Sequence, residues 1–144
     1  MNNSKIRQVL EKELITWASS LTNPVPVFSE NVLNSLRTKP SLYIVCKLVP
    51  SKTKVLSLSG DVKTLSGVFR VFFIGTLNEG IKKIEELSSE FINEFHADRT
   101  FFAADFSIVL HDEPSALESN EEGGNVKIPV FLAYACNNIF NVEE

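Results

Sequence analysis

Two segments of the chain carry apolar residues with the period of an α-helix. In residues 4–21 they are Ile6, Val9, Leu10, Leu14, Trp17 and Leu21, and in residues 76–95 they are Ile81, Ile84, Leu87, Phe91 and Phe95. This spacing gives each helix one apolar stripe. Pro24 and Pro26 end the first helix, and Thr76 with Glu79 matches a capping box for the second. The sequence therefore predicts two main amphipathic helices.

Five other segments are rich in β-branched and aromatic residues, which favour strands. They are residues 42–49, 54–60, 66–76, 101–111 (strongest at 106–110) and 126–136. Residues 29–41 are polar and predict a loop, and GDVK (60–63) predicts a hairpin turn. Short turns between neighbouring strands favour antiparallel pairing. The predicted fold class is α+β, a single domain over residues 1–144: an antiparallel sheet, or a mixed one, of about five to six strands with two main helices packed on one face.

Two of the predicted strands are apolar on both faces. In SGVFRVFFIGT (66–76) the alternating positions are Phe69, Val71 and Phe73 on one face and Arg70, Phe72 and Ile74 on the other. VKIPVFLAYAC (126–136) likewise has apolar residues at successive positions. An antiparallel sheet with one face in water normally alternates apolar and polar residues. Either helices cover both faces, or one face contacts another copy of the protein; with both helices assigned to one face, we favour the second explanation.

The candidate subunit interface consists of five residues from these two strands: Arg70, Phe72, Ile74, Pro129 and Phe131. We expect the Phe69, Val71 and Phe73 side to be core. Two roles stay open for Arg70, a polar contact inside the interface or a packed stem with its guanidinium in water. Pro129 lacks an N–H and predicts a sheet edge or a bulge.

Charge and hydropathy exclude several classes of partner. The formal net charge is −4, and no stretch concentrates Lys and Arg, so we expect no specific nucleic-acid binding. No apolar run is long enough for a membrane helix, and no secretory signal opens the chain, so no membrane partner is expected. Cys46 and Cys136 lie in apolar runs, which is typical of reduced core thiols in a cytoplasmic protein.

The sequence offers no constellation for catalysis. The histidine and carboxylate clusters are His96 with Asp98 and His111 with Asp112 and Glu113. Neighbouring residues on a strand or turn point to different sides, so they do not converge on one metal ion. The cysteines lack a nearby base, and the glycines do not precede a helix that could bind phosphate. We predict no catalytic residues, no metal, no cofactor and no enzymatic activity.

Several segments together resemble the small phage tail-terminator-like proteins, the family that includes the lambda-type minor tail protein U. They are KIRQVLEKELITWA (5–18), SEN (29–31), YIVCKLVPS (43–51), LSLSGDVKTLSGVFRVFFI (56–74) and VKIPVFLAYA (126–135). The resemblance covers nearly the whole chain and rests on pattern and order.

The resemblance implies a ring-forming homo-oligomer, commonly a hexamer, that caps the tail tube when the tube reaches full length. It also implies contacts with the tail tube protein and with a head-completion protein. The protein would then reside in the virion tail, after assembly in the host cytoplasm. Two alternatives stay open: a neck or head–tail connector protein, and a small ligand-binding domain with a Phe-lined pocket.

Overall fold

The computed structural model describes residues 3–29, 41–51, 54–55, 63–76, 81–103, 106–114, 116–122 and 124–137. Within them the α+β class is confirmed. Helix α1 spans Asn3–Ser19 and helix α2 spans Ile81–Glu94. The buried residues of α1 are Ile6, Leu10, Leu14 and Ala18, a spacing of four that keeps them on one side of the helix.

The strands form one mixed sheet. They are β1 Val27–Ser29, β2 Leu42–Pro50, β3 Lys54–Val55, β4 Lys63–Thr76, β5 Thr100–Phe102, β6 Ser107–Leu110, β7 Asn120–Glu122 and β8 Asn125–Asn137. The order is β1-β2-β4-β8-β6-β5, with β3 added beside β4 and β7 beside β8. The β1–β2 pair is parallel and the others are antiparallel. The long strands β4 and β8 are the two that the sequence showed to be apolar on both faces.

The structure differs from the predicted elements in two places. Strands β1 and β7 were not predicted, because three residues are too few to show a period of two. The strand predicted in 101–111 is confirmed at its strongest part by β6, but a second strand, β5, was missed: β5 and β6 pair with each other antiparallel, with Phe101 opposite Ile108. The amide of Ala103 donates to the carbonyl of Phe106 (2.9 Å) and closes the turn between them. Because this segment is mostly apolar, the sequence does not show that the chain reverses its direction here.

Other predictions lie outside the described residues. These are residues 30–40 of the polar loop, most of the 54–60 strand with residues 60–62 of its turn, and Glu79 of the capping box.

The core lies on the face of the sheet that carries Phe69, Val71 and Phe73, all fully buried, as predicted. We call it the core face. Buried side chains from α1 and α2 belong to the same apolar cluster, as do Val130 and Leu132 of β8. Since Val71 lies opposite Val130 and Phe69 opposite Leu132, the register of β4 and β8 aligns their core positions.

Arg99 closes one end of this core. Its Nη1 donates to the backbone carbonyl of Glu94 at 2.7 Å, at the last residue of α2, and lies 3.1 Å from the Glu94 carboxylate. Its Nη2 lies 3.4 Å from the Glu13 carboxylate of α1. The guanidinium also lies 4.8 Å from the ring centre of Phe95 and 4.7 Å from that of Phe101. One side chain thus connects α1, the end of α2 and β5.

Candidate interface on the second face of the sheet

The pairing of β4 with β8 brings the predicted interface residues together. Arg70 lies opposite Phe131, and Phe72 lies opposite Pro129. Ile74 is two residues further along β4, on the same face as Arg70 and Phe72 because side chains alternate along a strand. All five residues therefore share the face opposite the core face, which we call the second face.

Three aromatic contacts join four side chains on this face. The guanidinium of Arg70 lies 5.3 Å from the ring centre of Phe131. The Phe131 ring meets Phe72 edge to face, with 6.1 Å between centroids, and the Nζ of Lys127 lies 4.4 Å from the centre of Phe72. We call Arg70, Phe72, Lys127 and Phe131 the aromatic–cation patch. A cation held against a ring gains about 0.5–1 kcal/mol at an exposed site, so these contacts fix both charges above an apolar platform.

The five predicted residues are not equally accessible. Arg70, Phe72 and Phe131 are half-buried, whereas Pro129 is buried. Ile74 is 8% exposed and forms a small apolar cluster with Tyr43 and Val45. Ile74 and Pro129 therefore support the patch from within the chain, and the other three residues offer surface to a partner.

On the side away from β4, strand β8 pairs with β7 only at residues 125–127 and with β6 only from Tyr134 onward, so Pro129 lies at a local edge with one isolated bridge beside it, as expected. Strand β8 is interior in the strand order, and its register with β4 continues unbroken past Pro129. The carbonyl of Pro129 accepts a hydrogen bond from the amide of Leu117 (2.9 Å). Because the N and O atoms of one strand residue point to the same side, the missing N–H faces Leu117 and not β4. The proline thus leaves the β4–β8 hydrogen bonds intact.

Cations dominate the charge of the second face. Among the residues whose side chains the structure describes there, Lys47, Arg70 and Lys127 are charged and none is a carboxylate. Lys47 of β2 lies opposite Arg70. Neither lysine was predicted as an interface residue, although the signal was present: Lys127 precedes Pro129 by two residues, and Lys47 follows Val45 by two.

Metal-ligating side chains and pockets carry the chemistry of many proteins. Within the described ranges, no three His, Cys, Asp or Glu side chains converge as metal ligands. His111 Nδ1 and Asp112 Oδ2 lie 3.7 Å apart, both largely exposed. A cleft of about 610 Å³ lies between residues 20–25, the start of β2 and one side of α2. None of the described residues that line it is a phenylalanine, so this cleft does not match the Phe-lined pocket of the ligand-binding alternative.

The thiols are enclosed in the core. Cys46 and Cys136 are both buried, and neither forms a disulfide in the chain. Burial, with the nearby Glu11 carboxylate adding to it, raises the pKa of Cys46 to about 12. A thiol that stays protonated at neutral pH is a poor nucleophile.

Comparison with known proteins gives the family. A family model described as phage tail terminator protein matches residues 5–134. The chain belongs to the phage tail terminator family. It is thus a phage tail structural protein, as the sequence resemblance predicted. No curated protein sequence matches this terminator-family chain. A solved structure without a functional name shares the fold, with a TM-score of 0.77 and 21% identity over 94% of this chain and 96% of that one.

The length and apolar character of the helices bear on whether they could span a membrane. In the part of the chain that the structure describes, no helix combines the length and the apolar character needed to cross a membrane.

Proposed function

We propose that this chain is the subunit of a ring, expected to be hexameric, that caps the phage tail tube and joins it to a head-completion protein. Membership of the terminator family supports a place in the tail. The ring rests on one observation about this chain, the half-buried aromatic–cation patch on a sheet face that a solitary domain would normally make polar.

A closed cyclic ring requires a heterologous interface, in which one patch contacts a different patch on the neighbour. The second face supplies one such patch. It combines aromatic rings, which dominate the energetics of protein interfaces, with an arginine, which is enriched there. Of the two roles open for Arg70, we therefore propose the interface contact.

The remaining parts of the proposal follow from this role. The partners are other copies of the chain, the tail tube protein and a head-completion protein, with no membrane and no specific nucleic acid. The protein acts in the virion tail, after assembly in the host cytoplasm. Residues 1–144 form one domain, and the protein is no enzyme and needs no cofactor, since a terminator acts by occupying the end of a tube.

The mass of the purified protein tests the ring. We expect native mass spectrometry to give a ring-sized species and negative-stain microscopy to show rings, at high protein concentration or on isolated tail tubes. A chain that stays monomeric at the highest soluble concentration and does not bind tail tubes would contradict the proposal.

A double variant tests the position of the interface. Arg70→Glu with Phe72→Asp places carboxylates in the patch, and we expect it to abolish the ring while leaving the monomer folded. The matched control is Lys12→Glu with Ile15→Asp on the exposed side of α1, which makes the same changes of charge and polarity. If the first variant assembles as well as the control, the second face is not the subunit contact.

A further inference from the structure

The aromatic–cation patch has no ion-pair partner among the side chains that the structure describes. No carboxylate of the described residues lies within ion-pair distance of Arg70 or Lys127. Arg70 lies opposite Phe131, four residues along β8 from Lys127. At about 3.3 Å per residue, the two cationic positions are about 13 Å apart. The patch thus presents two positive charges at a fixed separation, with aromatic rings between them.

A matching pair of carboxylates lies on the outer side of β8. Glu118 and Glu121 are both exposed, in a segment held beside β8 by the bridge between Ala116 and Val130 and by the pairing of β7. Glu118 and Glu121 are three residues apart in the sequence. We call Glu118 and Glu121 the acidic edge.

Glu121 of the acidic edge and the patch lie on opposite sides of the sheet. Glu121 lies opposite Val126, which is a core-face residue. Since cross-strand partners share a face, Glu121 lies on the core-face side, at a margin that the solvent reaches. The patch lies on the second face.

We propose that the acidic edge of one copy docks on the aromatic–cation patch of the next copy in the ring. This inference rests on the ring proposed above and names the two surfaces that meet. Because Glu121 and the patch lie on opposite faces, a pair of copies joined in this manner still presents one unoccupied edge and one unoccupied patch. The contact is therefore head to tail, and it repeats until the ring closes.

Charge complementarity decides which surface of the neighbour fits. Opposite charges across an interface set its register and speed association, whereas like charges facing each other oppose it. Residues 112–122 contain no Lys, Arg or His. Helix α2 also exposes glutamates, but it carries Lys82 and Lys83 beside them. The acidic edge is thus the better counterpart for a patch with two cations.

Charge reversal with rescue tests the pairing. We expect Arg70→Glu/Lys127→Glu, and separately Glu118→Lys/Glu121→Lys, each to raise the dissociation constant between subunits by at least about tenfold. The chain with all four changes restores the opposite charges in reverse order. We expect its dissociation constant to return to within about threefold of the natural value. Sedimentation equilibrium measures all four proteins, and circular dichroism verifies that each is folded.

The matched control is Glu85→Lys/Glu90→Lys on the exposed side of α2. It makes the same change of net charge as the reversed edge. We expect it neither to weaken assembly nor to rescue the reversed patch. If it does rescue the patch, α2 is the true counterpart and the acidic edge is not.

The outcomes separate this inference from the ring itself. If the natural chain forms rings and either reversal leaves the dissociation constant unchanged, the ring stands and the pairing is overturned. The same holds if both reversals weaken assembly but the combined variant does not recover. If the natural chain forms no ring even on tail tubes, the proposed function falls and the pairing falls with it. Recovery in the combined variant alone supports the pairing.

Discussion

Phe72 and Phe73 are neighbours in β4, yet the two faces of the sheet give them different environments. Phe73 is fully buried on the core face and packs edge to face against Phe91 of α2, at 5.3 Å between centroids. Phe72 is half-buried on the second face, between Phe131 and the Nζ of Lys127. The same side chain thus belongs to a core in one position and to a surface in the next.

The arginines repeat this contrast. Arg99, at the end of the core, has two carboxylates, a backbone carbonyl and two rings around its guanidinium. Arg70, on the second face, lies over one ring and has no carboxylate partner among the described residues. The difference shows which charged groups remain able to bind a partner. Arg99, at the end of the core, is paired within the chain, whereas the second face holds cations and rings in a form that suits a partner.

The largest expected effect separates the two phenylalanines. Phe73→Ala removes a fully buried ring from the core, and we expect it to lower the free energy of unfolding by about 3–5 kcal/mol. Phe72→Ala removes a ring that solvent already reaches, and we expect a loss of about 1 kcal/mol or less from the monomer. Urea unfolding at a concentration where the chain is monomeric measures both. Equal losses would show that the second face is part of the folding core.

Two glycines on the core face of β4 test how tightly β2 and α2 pack against that strand. A Cβ at Gly67 would overlap the carbonyl oxygen of Val49 and the Cα of Pro50, whereas at Gly75 the nearest atom would be the tip of Ile84. Backbone cannot yield as a side chain can, so we expect Gly67→Ala to cost about 1–3 kcal/mol and Gly75→Ala less. Thermal unfolding of both variants ranks them. The reverse order would mean that α2, and not β2, is the tighter neighbour of β4.

The alternation in β4 and β8 made the faces predictable from the sequence. Long strands with apolar residues at successive positions indicated two covered faces, and the positions of Phe69 and Phe72 followed from the period of two. The sequence could not show that Ile74 is covered within the chain, because its neighbours Tyr43 and Val45 belong to a strand whose register is a tertiary property. The sequence indicated a local edge at Pro129 but could not show which side of β8 the missing N–H faces.

The short strands were not predicted, for a different reason. Strand β1 pairs with β2 through three residues, Val27 to Ser29, directly after a proline-containing link. Its hydrogen bonds depend on a strand far along the chain and leave no local pattern. The candidate patch was partly predictable, since Arg70, Phe72 and Phe131 were found by alternation. Lys127 joined it only when its position above the Phe72 ring was known.

The arginines give the third prediction. Arg99→Ala removes the contacts to Glu13, to the carbonyl of Glu94 and to the two rings, and we expect it to destabilise the monomer by about 1–2 kcal/mol. Arg70→Ala removes one contact with a ring at a half-buried site, and we expect about 0.5 kcal/mol or less from the monomer. Urea unfolding of the two variants checks this order. A larger loss for Arg70→Ala would assign that arginine a role in folding in place of a role in assembly.

The smallest effect concerns the thiol of Cys46, which lies on the core face opposite Val71. While the chain is folded at pH 8, we expect Cys46 to resist alkylation, whereas a cysteine introduced by Phe131→Cys on the second face reacts readily. Burial, together with Glu11, holds the pKa of Cys46 at about 12, above its ordinary value of 9.0. The folded state therefore keeps a proton that the unfolded chain loses first. This contribution to stability is fully present below about pH 9 and is lost as the pH rises towards 12.

Tyr134 contributes in the same direction at a slightly higher pH, because burial raises its pKa from 10.0 to about 12. We therefore expect the free energy of unfolding to fall between about pH 9 and 12, and to fall less steeply in Cys46→Ala than in the natural chain. Urea unfolding at a series of alkaline pH values measures the two slopes. Equal slopes, or alkylation of Cys46 as fast as that of the introduced cysteine, would mean that the core face is open to solvent. The two faces would then differ in shape but not in solvent accessibility, and the patch would not be the more accessible surface.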